Sequence, residues 1–233
     1  AFSYYCRGSN GSKFSICSNK FPFIKKKETM NKETQKIKKR YDRYSYIYDC
    51  VECPCEIFSF KNYRKRILSE VQGKVLEIGV GTGKNLPYYN FNKIEYTGID
   101  FSEKMLAKAN KRFPKAKLLE MDAQELQFKD NSFDYIITTF VLCSIPDPVK
   151  ALKEMRRVLK KEGKIIMLEH VRSKNKIVAL WQDIHNPFTR FLFGFNINRD
   201  TKENIHKAGL VVKEDQSLAF GDVLRLFEAI KGY

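Results

Sequence analysis

The chain has 233 residues, 43% of them hydrophobic and 30% charged, with a formal net charge of +16. That length holds one domain with an extension, which buries about 70% of its unfolded surface and needs neither disulfides nor metal to fold. No uncharged apolar run approaches the roughly 18 residues of a membrane-spanning helix. Residues 1–40 carry +9 of the charge and the other 193 residues only +7, so the fold has no phosphate-tracking signature and a nucleic-acid partner is not expected.

Residues 1–30 read as a leader. Up to Lys27 it has no acid, six basic residues and five serines, the composition of a mitochondrial or plastid transit segment and equally of a solvated tail. Residues 31–50 read as a helix with Tyr41, Tyr44 and Tyr48 at helical spacing. Cys50, Cys53 and Cys55 resemble half of a zinc site, but no second pair follows, so they read as reduced thiols and no metal is expected. A second amphipathic helix covers 60–71, and Gly73 ends it.

From Lys74 strands and helices alternate. The apolar run 75–80 is a strand, 83–89 opens a short helix, and 94–99 is a strand. Ser102 caps a helix through Arg112, and 116–121 is a strand. Residues 133–142 form the longest and most apolar strand, expected at the centre of the sheet. Asp147 caps a helix with Pro148 in its first position, Gly163 ends it, and 164–169 is a strand. The rhythm breaks over 170–200. Thr201 then caps a short helix, and 210–215 and 223–230 form a closing hairpin. The alternation predicts a doubly wound parallel sheet with an antiparallel final pair.

The stretch "VLEIGVGTGKN" places Gly79, Gly81 and Gly83 at a strand end, where bare backbone admits a ligand. Asp100 ends the next strand, nineteen residues past Gly81, where a carboxylate matches a ribose diol. Asp122 follows the third strand and can accept from an exocyclic amine. The spacing G-x-G-x-G and the three acids Glu77, Asp100 and Asp122 disfavour a pyrophosphate. They describe a ligand with adenine, ribose and positive charge, which S-adenosylmethionine satisfies. Glu77 either holds an ammonium group or braces the glycine turn.

These motifs, with "YTGIDFSEKMLAKA", "MDAQEL", "DNSFDYIITTFVLCSIPDP" and "ALKEMRRVLKKEGKIIMLEHV", resemble the class I S-adenosylmethionine-dependent methyltransferases, in their ubiquinone/menaquinone-methyltransferase-like branch. The resemblance implies an α/β fold, a doubly wound seven-stranded Rossmann-like sheet of order 3-2-1-4-5-7-6 with strand 7 antiparallel. It implies a methyltransferase domain over 31–233, with an N-terminal helical cap at 31–72 and a lid insertion at 171–198. By the same resemblance S-adenosyl-L-methionine is the cofactor. Gly79, Gly81 and Gly83 would form the methionine-side loop, and Asp100 would hold the ribose with Phe101 and Met105 nearby. Asp122 and Ala123 would flank adenine, Phe140 or a neighbour at the end of strand 4 would line the floor, and Tyr48, with "YDRY" at Tyr41–Tyr44 as a second candidate, would close over the cofactor.

The acceptor is read from the strand ends. "TTFVLCSIPDP" lacks the Asn/Asp-Pro-Pro-aromatic grip of nucleic-acid amino-methylases, and its apolar character favours a small-molecule or lipid-like acceptor. Glu169 and His170, ending the fifth strand, are the acid–base candidates. Trp181, His185, Asn198 and Arg199 are candidate acceptor contacts, with Arg199 suited to an anionic head group. Apolar residues over 181–195 form a stripe that is either ordinary core, a cover for the acceptor, or a contact with a membrane interface. Quinone-precursor C-methylation and phospholipid N-methylation are the expected reactions. The alternatives are thiol S-methylation, since "VLCS", "EHV" and "N-x-R-x-T" also resemble membrane-linked alkyl-thiol methyltransferases, and a non-catalytic S-adenosylmethionine-binding subunit of an organellar complex.

Overall fold

A computed structural model of the chain describes residues 30–46 and 60–232. Tyr48, the cysteines at 50, 53 and 55 and the leader up to residue 29 lie outside the described residues. The apolar runs form seven strands: β1 (Gly73–Ile78), β2 (Ile94–Asp100), β3 (Leu118–Glu120), β4 (Phe133–Thr139), β5 (Leu159–His170), β6 (Leu210–Ala219) and β7 (Leu224–Lys231). Between and before them lie the helices α1 (Lys32–Tyr44), α2 (Lys61–Leu68), α3 (Glu103–Arg112), α4 (Pro148–Val158), α5 (Lys176–Leu192) and α6 (Thr201–Lys207). The sheet order is β3-β2-β1-β4-β5-β7-β6. Strands β1 to β5 pair in parallel, and β7 runs antiparallel to both β5 and β6.

Period-2 alternation splits each central strand between two cores. Leu76, Ile78, Ile136, Leu152 and Phe227 pack on one face, and Val75, Ile137, Leu68, Leu86 and Tyr96 on the other. β4 sits at the middle of the sheet, as an apolar run buried on both sides requires. The helix starts carry side-chain caps that satisfy otherwise orphaned N–H groups. Ser102 Oγ accepts from Met105 N, Asp147 from Lys150 N with Pro148 following, and Asn175 from Ile177 and Val178 N.

Several boundaries differ from the sequence expectation. β4 stops at Thr139 rather than 142, because Phe140 adopts φ +58° and turns the chain out of the sheet. The longest strand is therefore β5, whose twelve residues begin directly after α4. Residues 83–89 form a loop with one 3-10 turn, Leu86–Tyr88, in place of a helix. β3 shrinks to three residues. The cap of α6 is Asp200, which accepts from Glu203 N, while Thr201 is its buried first residue. The segment 171–198 is mostly one seventeen-residue helix, α5.

This topology sends the carboxyl ends of β1, β2, β4, β5 and β6 to one edge of the sheet. The glycine loop, the β2–α3 turn, the β4 exit loop, the start of α5 and the β6–β7 turn all gather there, where ligands bind in open α/β sheets. Leu152, at the centre of α4, has no exposed surface. Leu152→Ala is expected to lower the unfolding free energy by about 2–5 kcal/mol, read from the midpoint of urea unfolding.

Candidate active site

The site begins where β1 ends. Gly79 and Val80 N donate to Ile99 O at 2.8 and 3.0 Å, which bends the chain across the end of β2. Gly79, Gly81 and Gly83 have φ of +70°, +57° and +86°, a region L-residues rarely occupy. A side chain on Gly79 would also meet Val141, its Cβ lying 2.5 Å from Cγ2, whereas the space beside Gly81 is open. Asp100 ties the loop to the next helix: Oδ2 accepts from Gly81 N at 2.9 Å and Oδ1 from Ser102 N at 2.8 Å. Burial pushes the Asp100 carboxyl up to about 6 against the pull of these two N–H groups.

A narrow cleft follows from this loop. Gly79, Asp100, Phe101, Asp122 and Ala123 form one wall, and Val141, Ser144 and Ile145 of the β4 exit loop form the other. Thr34 and Ile37 of α1 roof it. The roof is tied down by Lys38 Nζ, which donates to Phe101 O (2.7 Å) and Glu120 Oε1 (2.8 Å). Ser102 Oγ donates to Asp42 (2.6 Å) and Gln124 Nε2 to Thr34 Oγ1 (3.0 Å). Asp122 in turn accepts from Gln124 N at 2.9 Å. Beyond Gly79 the space continues past Arg64, Glu77, Lys84, Asn85 and Phe140. Thr34, Ile37, Lys38 and Arg64 carry no signal of this role in the sequence, whereas Asp42 falls in the "YDRY" stretch and Asn85 is the polar residue that closes the glycine stretch.

Glu77 is a brace. Its Oε2 accepts from Tyr96 Oη (2.7 Å) and its Oε1 from Asn85 Nδ2 (2.9 Å), while Arg64 Nη1 donates to Asn85 Oδ1 (2.5 Å). The acid thus reaches the glycine loop through Asn85, and burial lifts its pKa to about 7. Glu169 has no exposed surface. It accepts from Thr138 Oγ1 (2.8 Å), Val141 N (3.1 Å) and Leu142 N (3.2 Å). The expectation of an acid–base role for Glu169 therefore gives way to a structural one: every donor it meets belongs to β4 or its exit loop, and the carboxylate holds that loop. His170, the next residue, stacks on Phe140 at 4.5 Å and 25°, with Phe60 4.7 Å from the same ring. These aromatics gather at the end of β4, where Phe140 spends about 1–3 kcal/mol of backbone strain on its left-handed conformation.

Other expected contacts separate. Met105 is buried under the first turn of α3 and does not line the cleft. Trp181 and His185 stack on each other at 4.3 Å on the solvent side of α5, away from the cleft. The inner side of α5 is Ala179 and Gln182. The Gln182 amide donates to Val171 O and Ile197 O and accepts from Ser173 N, so the helix is fastened by a polar latch and turns its large apolar residues outward. Asn198 joins that latch through Asp183 Oδ1 (3.0 Å). Arg199 reaches back to the cleft wall, donating from Nη2 to Ile145 O at 2.8 Å.

Comparison with known proteins agrees with this arrangement. The family described as "Methyltransferase domain" matches residues 76–167. A phosphatidylethanolamine N-methyltransferase of Cereibacter sphaeroides is 36% identical over 162 residues, covering 64% of this chain and 75% of that relative. A demethylmenaquinone methyltransferase of Staphylococcus aureus (strain MRSA252) is 35% identical over 178 residues, 72% of this chain and 71% of the relative. The chain belongs to the class I S-adenosylmethionine-dependent methyltransferases. Solved structures support the fold. An S-adenosylmethionine-dependent methyltransferase of Thermotoga maritima, described as a possible histamine N-methyltransferase, superposes with TM-score 0.64 at 24% identity, covering 83% of this chain and 99% of that one. A methyltransferase of Mesorhizobium loti gives 0.58 at 16% identity, covering 73% and 96%.

The residues present fit that cofactor. The cleft carries two carboxylates, Asp100 and Asp122, and no Lys or Arg in its lining, which suits a nucleoside and not a pyrophosphate. Past Gly79, the loop is flanked by Arg64, Lys84 and Asn85, polar groups suited to the amino-acid end, with Glu77 bracing Asn85 from behind. Gly79→Ala of the methyltransferase is expected to abolish S-adenosylmethionine binding by calorimetry, since it adds both strain and a clash with Val141. Glu169 sets a pH dependence. Its folded pKa of about 7 lies above its ordinary 4.5, so the fold favours the protonated form. The contribution is whole below pH about 4.5 and is lost as pH rises through about 7. Between pH 5 and 8 the wild type is expected to lose roughly 1–3 kcal/mol more unfolding free energy than Glu169→Gln, measured by urea unfolding at both values.

Proposed function

We propose that this methyltransferase acts on a lipid-like acceptor and that the amine of a phospholipid head group is its substrate. The observation that carries the reading is Arg199. The loop bearing it is sewn to the β4 exit loop, with Asn196 N and Nδ2 both donating to Cys143 O (2.9 and 3.1 Å) and Arg199 Nη2 to Ile145 O. Arg199 is only partly exposed, has no carboxylate partner among the described residues, and its Nε is buried without any partner. Burial holds its pKa below the usual arginine value. Asp147 and Glu33 act on this half-buried guanidinium only at a distance and form no ion pair with it, so its free donors can still take an anion, and a phosphodiester matches its planar fork. The 36% identity to a phosphatidylethanolamine N-methyltransferase supports the same class.

When bound, S-adenosylmethionine would supply an electrophilic sulfonium methyl: the acceptor's lone pair would bond to that carbon as its bond to sulfur breaks, with S-adenosylhomocysteine as the leaving group. The protein's share is alignment and a dry site. α1 and the β4 exit loop exclude water from the cleft, Phe140, backed by the His170 ring, lines the space past Gly79, and Arg199 orients the acceptor by its phosphate. An ammonium acceptor must first lose a proton. With Glu169 occupied as a brace, His170 is the described residue at this edge placed to take it.

Product S-adenosylhomocysteine, with mass spectrometry of the acceptor, tests the proposal on phosphatidylethanolamine in detergent micelles, a demethylated quinol and an alkyl thiol. Methylation of the phospholipid is expected, and Arg199→Ala should raise its KM about tenfold or more with a smaller effect on kcat. Turnover of the quinol or the thiol alone would overturn the head-group reading. Cofactor binding with no acceptor methylated would make the chain a non-catalytic binding subunit.

A further inference from the structure

α5 is amphipathic in reverse. Its buried positions are Ala179 and Gln182, while Ile177, Leu180, Trp181, Ile184, Phe188 and Phe191 are 56–81% exposed. Their spacing of three and four places them along one stripe, about 21 Å long at roughly 1.5 Å per residue. A lone exposed leucine is ordinary, but a continuous stripe of six large apolar side chains is not.

The surroundings of this stripe are basic. Lys174 and Lys176 are exposed at its start and Arg190 near its end. α5 contains one acid, Asp183, which is turned toward Arg172 and Asn198. α1 meets the far end of α5 through Arg40 Nη1 to Arg190 O and Arg190 to Glu33. It presents Lys32, Lys36, Lys39 and Arg43 to solvent along one of its own faces. A further large apolar side chain lies at the same edge of the sheet. Phe220, 65% exposed, sits in the β6–β7 turn. That turn is fastened to the entrance of α5, where Ser173 Oγ and Lys174 N both donate to the Asp222 carboxylate at 2.5 Å.

We propose that the outer face of α5 docks on an anionic lipid surface, lying in the plane of the interface with Ile177, Leu180, Trp181, Ile184, Phe188 and Phe191 inserted. Apolar residues on the buried side and cations at the rim are the two components of interfacial helix binding. A second copy of the chain suits the stripe poorly. Packed on itself in a parallel sense, α5 would set Lys176 against its own copy with no acid on the stripe to offset it, whereas Arg190 is already paired with Glu33. The location gives the docking a purpose, which rests on the lipid-acceptor reading. α5 leaves the carboxyl end of β5, so a bilayer against its outer face lies at the edge of the sheet where the cleft and Arg199 are.

Trp181 is the chain's single tryptophan, so its emission reports on this face alone. The full chain would be mixed with vesicles of phosphatidylcholine, with or without a minority of phosphatidylserine, and followed by Trp emission and flotation. With the anionic vesicles, emission is expected to move to shorter wavelength and the protein to float. Ile184→Glu with Phe188→Glu should reduce the bound fraction about tenfold or more, with an unchanged melting curve because both positions are exposed. Lys176→Glu with Arg190→Glu should remove the preference for phosphatidylserine. An unmoved emission and no flotation of the wild type would overturn the proposal. So would a concentration-dependent dimer, seen by sedimentation, that buries Trp181 without lipid. Phospholipid turnover in micelles separates the two readings. Vesicle binding without any phospholipid methylation leaves the docking surface in place and removes the acceptor. Micellar methylation that survives Ile184→Glu with Phe188→Glu, while vesicle binding is lost, supports both.

Discussion

The site depends on one buried carboxylate, Glu169, and the loop that hangs from it. Its oxygens collect the Thr138 hydroxyl and the N–H groups of Val141 and Leu142, from a segment about thirty residues earlier in the chain. Those N–H groups emerge where β4 has stopped and no neighbouring strand can pair them, and unpaired buried donors are costly. With the acid in place the chain can leave the sheet at Phe140 in a left-handed conformation, present that ring to His170 and Phe60, and set Val141 hard against Gly79. Ser144 and Ile145 then reach the cleft, and Arg199 and Asn196 fasten to the same loop. The cost of burial is the raised pKa of Glu169, so the device is most comfortable below neutral pH.

Glu77 and Asp100 solve the same problem on neighbouring strands. Each stands near the end of a parallel strand, and each is committed to the loop that follows. Asp100 takes Gly81 N and Ser102 N, while Glu77 takes Tyr96 Oη and, through Asn85, the far side of the glycine turn. The difference is in what remains free. Asp100 still faces the cleft among apolar neighbours, whereas Glu77 is enclosed by its partners and Glu169 wholly so. Three carboxylates of similar sequence context thus divide between ligand and scaffold according to how many protein donors each has met. A protonated carboxyl could not accept from all of them, so the donors and the burial pull these groups in opposite directions.

The same division explains what could be read before the structure. The alternation of strands and helices, the closing antiparallel pair and the positions of Gly79, Gly81, Gly83, Asp100 and Asp122 follow from local constraints: periodicity, caps and the need for bare backbone at a turn, whereas the strand order and Ala123 come with the family resemblance. Such constraints act within a few residues and leave marks in sequence. The role of Glu169 leaves none, because an acid ending a buried strand looks the same whether it meets a substrate or a distant loop, and only Val141 and Leu142 decide. The early end of β4 is equally silent, since "FVL" continues the apolar run that Phe140 breaks by its backbone angle alone. Thr34, Ile37 and Lys38 become part of the cleft through contacts with residues some sixty to ninety positions away, so the roof of the site belongs to tertiary structure.

α5 carries this reasoning furthest. Helical periodicity established that an apolar stripe exists but could not say which way it points, because the period of a helix is blind to its neighbours. Core would have been the ordinary destination of Trp181, Ile184 and Phe188. What reverses it is Gln182, whose amide satisfies Val171 O, Ile197 O and Ser173 N at once, with Ala179 leaving room for the approach. A single amide with all of its partners in register outweighs the loose attraction of any large side chain for that surface, since rotating the helix would bury Trp181 only by leaving two carbonyls and an N–H unpaired. The latch therefore fixes the orientation, and the six apolar residues are left outside as its consequence. Retaining so much exposed apolar surface carries an aggregation risk in water, which the proposed lipid interface would remove at the edge of the sheet where the methyl acceptor has to arrive.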